Sequence, residues 1–149
     1  MREVVRSALV SHTPAQMFAL VEDVERYPEF LPGVVGAKLV ETRDQQQIGR
    51  LEMEKAGVRE QFTTRNTLTR PDRIDMHLLD GPFRSLEGVW TFVPILEDGV
   101  VKGTRVGLSV QFEFKNALTS MLLSRSFEAI FASLIDSFTQ RARVVYGTA

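Results

Sequence analysis

At 149 residues, with 44% hydrophobic and 25% charged residues, no cysteine and a net charge of −1, the chain has the composition of a single globular domain. The absent cysteine excludes a disulfide framework, a thiolate-held metal and a thiol nucleophile, and the charge gives no global attraction for nucleic acid. The charge is uneven, with 12 Lys/Arg against 16 Asp/Glu in residues 1–99 and 6 against 3 in residues 100–149.

No apolar run approaches the ~20 residues that span a bilayer. The opening MREVVRSALVSHTP is charged too early and too often for a signal peptide. A cytoplasmic bacterial protein is the expectation, with contact at the inner membrane at most peripheral and transient.

Arg2–Val10, REVVRSALV, is rich in β-branched residues and predicts a strand. A helix follows, capped by Ser11 or Thr13, with Pro14 in its first turn and Met17, Leu20, Val21 and Val24 at helical spacing. Pro28 ends it. Between Pro28 and Pro32 the chain then holds Phe30 and Leu31, with Tyr27 just before, in a stiff and bent apolar segment. That segment reads as a hydrophobic plug joining helix to sheet or as a lid or membrane-touching edge at a cavity mouth.

From AKLVETR to residue 114 the signal is strand cut by turns. Gly57 separates QQIGRLEMEKA from VREQFTTRNTLT, Asp80–Pro82 precedes FRSLEGVWTFVPI, and Asp98–Gly99 precedes VKGTRVGLSVQFEF. In the last strand Val106, Leu108, Val110, Phe112 and Phe114 share one face. In the fourth, Val58, Glu60, Phe62, Thr64, Asn66 and Leu68 share a face, and Arg59, Gln61, Thr63, Arg65 and Thr67 face away. Such alternation marks a sheet with one covered and one solvated face.

The cover is the final segment. Asn116 can cap a helix of ~28 residues, about 40 Å long. Its apolar stripe is Leu123, Phe127, Ile130, Phe131, Leu134, Phe138 and Val145. The predicted architecture is α+β: a seven-stranded curved antiparallel sheet around a long C-terminal helix. One helix does not fill the concavity of such a sheet, so either bulky side chains fill it or a greasy hollow remains between them, and a hollow there is a natural apolar ligand site. Its lining comes from Phe62, Leu68, Trp90, Phe92, Leu108, Val110 and Phe112 on the sheet and Phe131 and Leu134 on the helix. Its mouth comes from Tyr27, Pro28, Phe30, Leu31 and Pro32.

Chemistry beyond that is sparse. His12 and His77 are isolated and read as structural or surface residues, and the acidic clusters EDVE and LEME read as solvated faces. There is no phosphate-binding glycine loop, and Ser124 and Ser126 have no base in sequence reach. Glu60 reads as a strand-end residue near the rim, with a catalytic or ligand-gripping role as the alternative. No metal site and no catalytic set is expected.

Five ordered segments, YPEFLPG, KAGVREQFTTRNTL, LLDGPFRSLEGVWTF, FEFKNAL and FTQRARVVYG, resemble the START-like family of ribosome association toxins and coenzyme Q-binding proteins, a subset of the polyketide cyclase/START superfamily. The resemblance runs from about Val4 to Gly147. It implies a helix-grip fold around an elongated cavity. The coenzyme Q branch commonly continues YPEFLP with tryptophan and cysteine, where this chain has Gly33 and Val34. FLPG, KAG and FTTRN are closer to the toxin branch.

Two functions follow from the resemblance. One is a non-enzymatic carrier of ubiquinone or a similar isoprenoid lipid that supports respiration. The other is a toxin, with a small antitoxin partner, that binds the large ribosomal subunit and blocks subunit joining. Lys55, Arg59 and Arg65 would begin the cationic surface that the second requires. A polyketide cyclase-like cavity enzyme is a third and weaker implication.

Overall fold

The computed structural model describes residues 1–55 and 57–147. Strand β1 (Arg2–Val10) leads into helix α1 (Pro14–Glu22), a 3-10 helix (Val24–Glu29), and then β2 (Val34–Arg43), β3 (Gln46–Lys55), β4 (Val58–Thr69), β5 (Arg73–Asp80), β6 (Phe83–Glu97), β7 (Val100–Phe114) and helix α2 (Ala117–Tyr146). The seven strands form one antiparallel sheet in the order β1-β7-β6-β5-β4-β3-β2. Apart from the closing of β1 onto β7, each strand pairs with its neighbour in sequence.

Local chemistry sets the element ends. Thr13 caps α1 reciprocally: its hydroxyl accepts from the Gln16 N–H at 3.1 Å, and its own N–H donates to the Gln16 side chain at 2.9 Å. Asp98 and Gly99 both take positive φ, +52° and +77°, and turn β6 into β7 in two residues. The Asn116 side chain accepts from Thr119 N–H at 2.9 Å and starts α2. That helix has 30 residues, about 45 Å at 1.5 Å per residue.

Three expectations are corrected. α1 ends at Glu22 and not at Pro28, because the chain tightens into the 3-10 helix and Tyr27 turns its hydroxyl back to donate to the Val21 carbonyl. Val145 is exposed, and Ile135 and Ala142 complete the buried stripe. The last turn of α2 is held by other groups: Tyr146 donates to the Gln16 carbonyl at 3.1 Å, and His12 Nε2 meets the Gly147 carbonyl at 2.8 Å. Finally, α2 has an 18-residue window of mean hydropathy 1.3, long and apolar enough by composition to cross a bilayer. It reaches that value because apolar residues lie both on the stripe against the sheet and on an outer face at Leu118, Met121 and Leu122.

The core is one cluster between the concave face of the sheet and α2. Aromatic rings dominate it. Phe83 lies edge-on to Phe127 at 5.1 Å, Phe112 edge-on to Phe131 at 5.3 Å, and Trp90 edge-on to Phe138 at 5.2 Å. On β4, Phe62, Thr64, Asn66 and Leu68 are buried and Arg59, Gln61 and Arg65 exposed, as the alternation predicts. Thr63 is buried against that pattern, at the β-bulge where the pairing with β5 slips.

Gly33 links the 3-10 segment to β2 with φ +84°. A Cβ there would lie 2.9 Å from two carbons of Ile130, so both the backbone angle and the close approach of α2 require glycine.

Candidate functional site

The predicted hollow exists in reduced form. Its wall comes from the 3-10 segment (Val24, Tyr27, Leu31), the start of β2 (Val34), inward positions of β3 to β7, and Phe131, Leu134 and Phe138 of α2. Its volume is about 50 Å³, enough for a few waters and well below the roughly 150 Å³ of a cavity that takes benzene. Native side chains fill most of the space that topology alone leaves open.

Of the sequence-predicted lining, Phe62, Trp90, Val110, Phe131 and Leu134 meet at this void. Leu68, Phe92, Leu108 and Phe112 are buried away from it as packed core. The predicted mouth divides in the same way. Tyr27 and Leu31 line the void, whereas Pro28 and Pro32 face solvent. Phe30 packs outside it, edge-on to Phe138 at 5.2 Å and under the Arg141 guanidinium at 5.0 Å.

Sequence reasoning missed Met53, Met76, Leu86 and the small wall formed by Gly49. The alternation of β3, GRLEME, could have found Gly49, Leu51 and Met53 on one face. It missed the polar pair Thr64 and Asn66 as site residues although their inward parity was legible. They join Gln47 in a buried chain, with Asn66 donating to Gln47 Oε1 at 3.0 Å.

The electrostatics of the lining are quiet. Among the described residues its wall holds no carboxylate, imidazole or ammonium group. Tyr27 is the one phenol, and burial, with Asp23 nearby, pushes its pKa well above the usual tyrosine range. Glu60 is half-buried opposite Met53 of β3, outside the void. His77 is exposed, 3.6 Å from Glu87, and among the described residues no group of three His, Asp or Glu is placed to hold a metal.

The predicted cationic set does not converge. Arg59 is paired with Glu52 at 2.7 Å and Glu54 at 3.7 Å, and lies about 20 Å along β4 from Arg65 at about 3.3 Å per residue. Lys55 is exposed at the end of β3. Arg65 has different neighbours: Ile48 is its partner in β3, two residues from Arg50, which itself faces Lys38 of β2. Among the described residues none of Lys38, Arg50 and Arg65 forms an ion pair.

The profile of the family described as "Polyketide cyclase / dehydrase and lipid transport" matches residues 10–139. The chain is 41% identical to the ribosome association toxin RatA of Vibrio cholerae, covering 99% of both sequences. It is 27% identical to coenzyme Q-binding protein COQ10 homolog B of Xenopus laevis, covering 97% of this chain and 59% of the relative. In fold it is similar to the Zhui aromatase/cyclase of a Streptomyces species, with a TM-score of 0.83 and 20% identity over 99% of each chain. The curved seven-stranded sheet gripping one long C-terminal helix is thus the helix-grip fold, and this chain belongs to the polyketide cyclase/dehydrase and lipid transport family.

Proposed function

We propose that this protein is a non-enzymatic carrier of a long-chain isoprenoid quinone, ubiquinone or a close relative, that supports respiratory electron transfer. The observation that carries the reading is the void under α2, walled by Phe62, Trp90, Phe131 and Phe138 and closed by Tyr27 and Leu31. Aromatic and aliphatic side chains around one enclosed space suit a flat ring with an apolar tail. A relative named as coenzyme Q-binding supports the same ligand class. The absence of an ionisable acid–base pair in the described lining favours holding over converting the guest.

A quinone ring exceeds the ligand-free void, so uptake requires the wall to part. Met53, Met76 and Leu134 are the side chains suited to move, since methionine repacks at low cost. Affinity is then reduced by the rarity of the open state. Trp90 is the sole tryptophan of the chain and lines the void, so its fluorescence reports occupancy directly. Titration with decylubiquinone is expected to quench it saturably, and lipid extracted from the purified protein is expected to contain quinone by mass spectrometry. Neither quenching nor extracted quinone would remove the reading.

A second reading, association with the large ribosomal subunit, is favoured by the Lys38, Arg50 and Arg65 cluster on the outer face of β2 to β4. Three neighbouring cations that form no ion pair among the described residues suit a phosphate backbone, although Glu41 lines the same cleft as Arg65, and the Vibrio cholerae relative is named for ribosome association. Sucrose-gradient sedimentation tests it. Excess protein should deplete joined ribosomes, and a Lys38→Glu/Arg50→Glu/Arg65→Glu variant should not.

A further inference from the structure

Apart from Tyr27, whose hydroxyl donates to the Val21 carbonyl, and the indole of Trp90, the polar side chains of the void are gathered in one place, and their hydrogen bonds have a fixed direction. Thr64 and Asn66 reach the void from one face of β4, two residues apart, and both are buried. Behind them Gln47 of β3 is 3% exposed and donates through Nε2 to the Glu22 carbonyl at the end of α1, at 3.1 Å.

That last contact orients the whole chain. A backbone carbonyl only accepts, so Gln47 must turn its amide nitrogen to Glu22 and its oxygen toward Asn66. Asn66 Nδ2 donates to Gln47 Oε1 at 3.0 Å, which turns the Asn66 oxygen to Thr64, whose hydroxyl donates to it at 2.8 Å. The proton of Thr64 is therefore committed inward, and its oxygen keeps lone pairs free. Asn66 has used one of its two N–H groups. The chain offers the void one spare donor, on Asn66, beside one spare acceptor, on Thr64.

A ring carbonyl uses only the donor. A ring hydroxyl uses both, because it accepts and donates at once. We propose that Thr64 and Asn66 form the head-group subsite of this void and select a hydroxyl-bearing ring, the reduced quinol, over the oxidised quinone. The ring seats at the β3–β4 wall, and the tail leaves past Tyr27, Leu31 and Leu134. This inference rests on the carrier reading above and adds to it a redox preference.

The test compares decylubiquinol under anaerobic conditions, decylubiquinone, and decylbenzene as a headless control. The unaltered chain should bind quinol about fivefold tighter than quinone, the order of one added neutral hydrogen bond. Thr64→Val should collapse that difference, and Asn66→Leu should bring both forms toward decylbenzene. Should the variants fail to fold, the unaltered protein still decides the matter. Fivefold tighter quinol binding raises the two-electron midpoint potential of the bound couple by about 20 mV, since a tenfold change is about 30 mV. Equal binding of quinol and quinone, or a preference that survives Thr64→Val, overturns the head-group assignment and leaves the carrier reading standing. No saturable uptake of any of the three by the unaltered chain overturns both.

Discussion

Gly33 and Tyr27 together decide how the entrance segment meets α2. Alanine at Gly33 would add left-handed strain to a 2.9 Å approach on Ile130. The expected cost of Gly33→Ala is about 2–4 kcal/mol by denaturant unfolding. An unchanged midpoint would mean that α2 yields freely there. Tyr27 allows a pH test. Its folded pKa is raised by burial first and Asp23 second. The unfolded phenol loses its proton near pH 10, while the folded one keeps it. The stabilisation from this group is present below about pH 10 and is lost as pH rises above that value. Tyr27→Phe should cost about 1 kcal/mol at neutral pH through the lost bond to Val21, and should flatten the alkaline fall in stability. Equal alkaline slopes for the two proteins would count against a buried phenol.

At the level of elements, the void is set by how α2 presents Phe131, Leu134 and Phe138 to the sheet. Leu134 is half-buried beside the void, so Leu134→Ala enlarges it. That change should lower stability by about 2 kcal/mol and raise decylubiquinone affinity, because less wall must move on entry. Weaker quinone binding in this variant would mean that Leu134 grips the ligand rather than blocking it. The elements themselves were legible where one physical signal dominated. Alternation on β7, the Asp98–Gly99 turn and the Asn116 cap all point one way, and the structure follows them. The end of α1 was not legible, because helical spacing continues through Val24 while a long-range demand prevails: Tyr27 and Phe30 both pack edge-on to Phe138, at 5.4 and 5.2 Å. Burial of Phe92 and Phe112 was equally readable. Whether they face a void or pack solid depends on how rings from distant elements interlock, which periodicity does not encode.

The whole molecule has an uneven surface. Leu118, Met121 and Leu122, at 62, 73 and 60% exposure, share one face of the first turns of α2. Exposed Lys115 and Arg125 flank them, and neither is ion-paired among the described residues. Apolar tips framed by cations suit an anionic lipid surface, where a quinone carrier would load. Cosedimentation with vesicles containing phosphatidylglycerol is expected, and Met121→Asp/Leu122→Asp should abolish it without shifting the unfolding midpoint. Equal pelleting of the variant would move the contact elsewhere.

The two ends of α2 are fastened differently, and this bears on how the wall parts. His12, Gln16 and Glu29 fix the C-terminal end, through Gly147, Tyr146 and Arg141, whereas the opening turns carry the protruding Leu118, Met121 and Leu122. Between those ends Leu123 and Phe127 are buried against the sheet, with Phe127 edge-on to Phe83 at 5.1 Å, and Arg2 of β1 holds Glu128 at 2.7 Å. The helix is therefore clasped along its middle as well as at its tail, so a pull on the greasy tip would displace only the turns before Leu123 and leave entry to the chamber to the side chains of its wall.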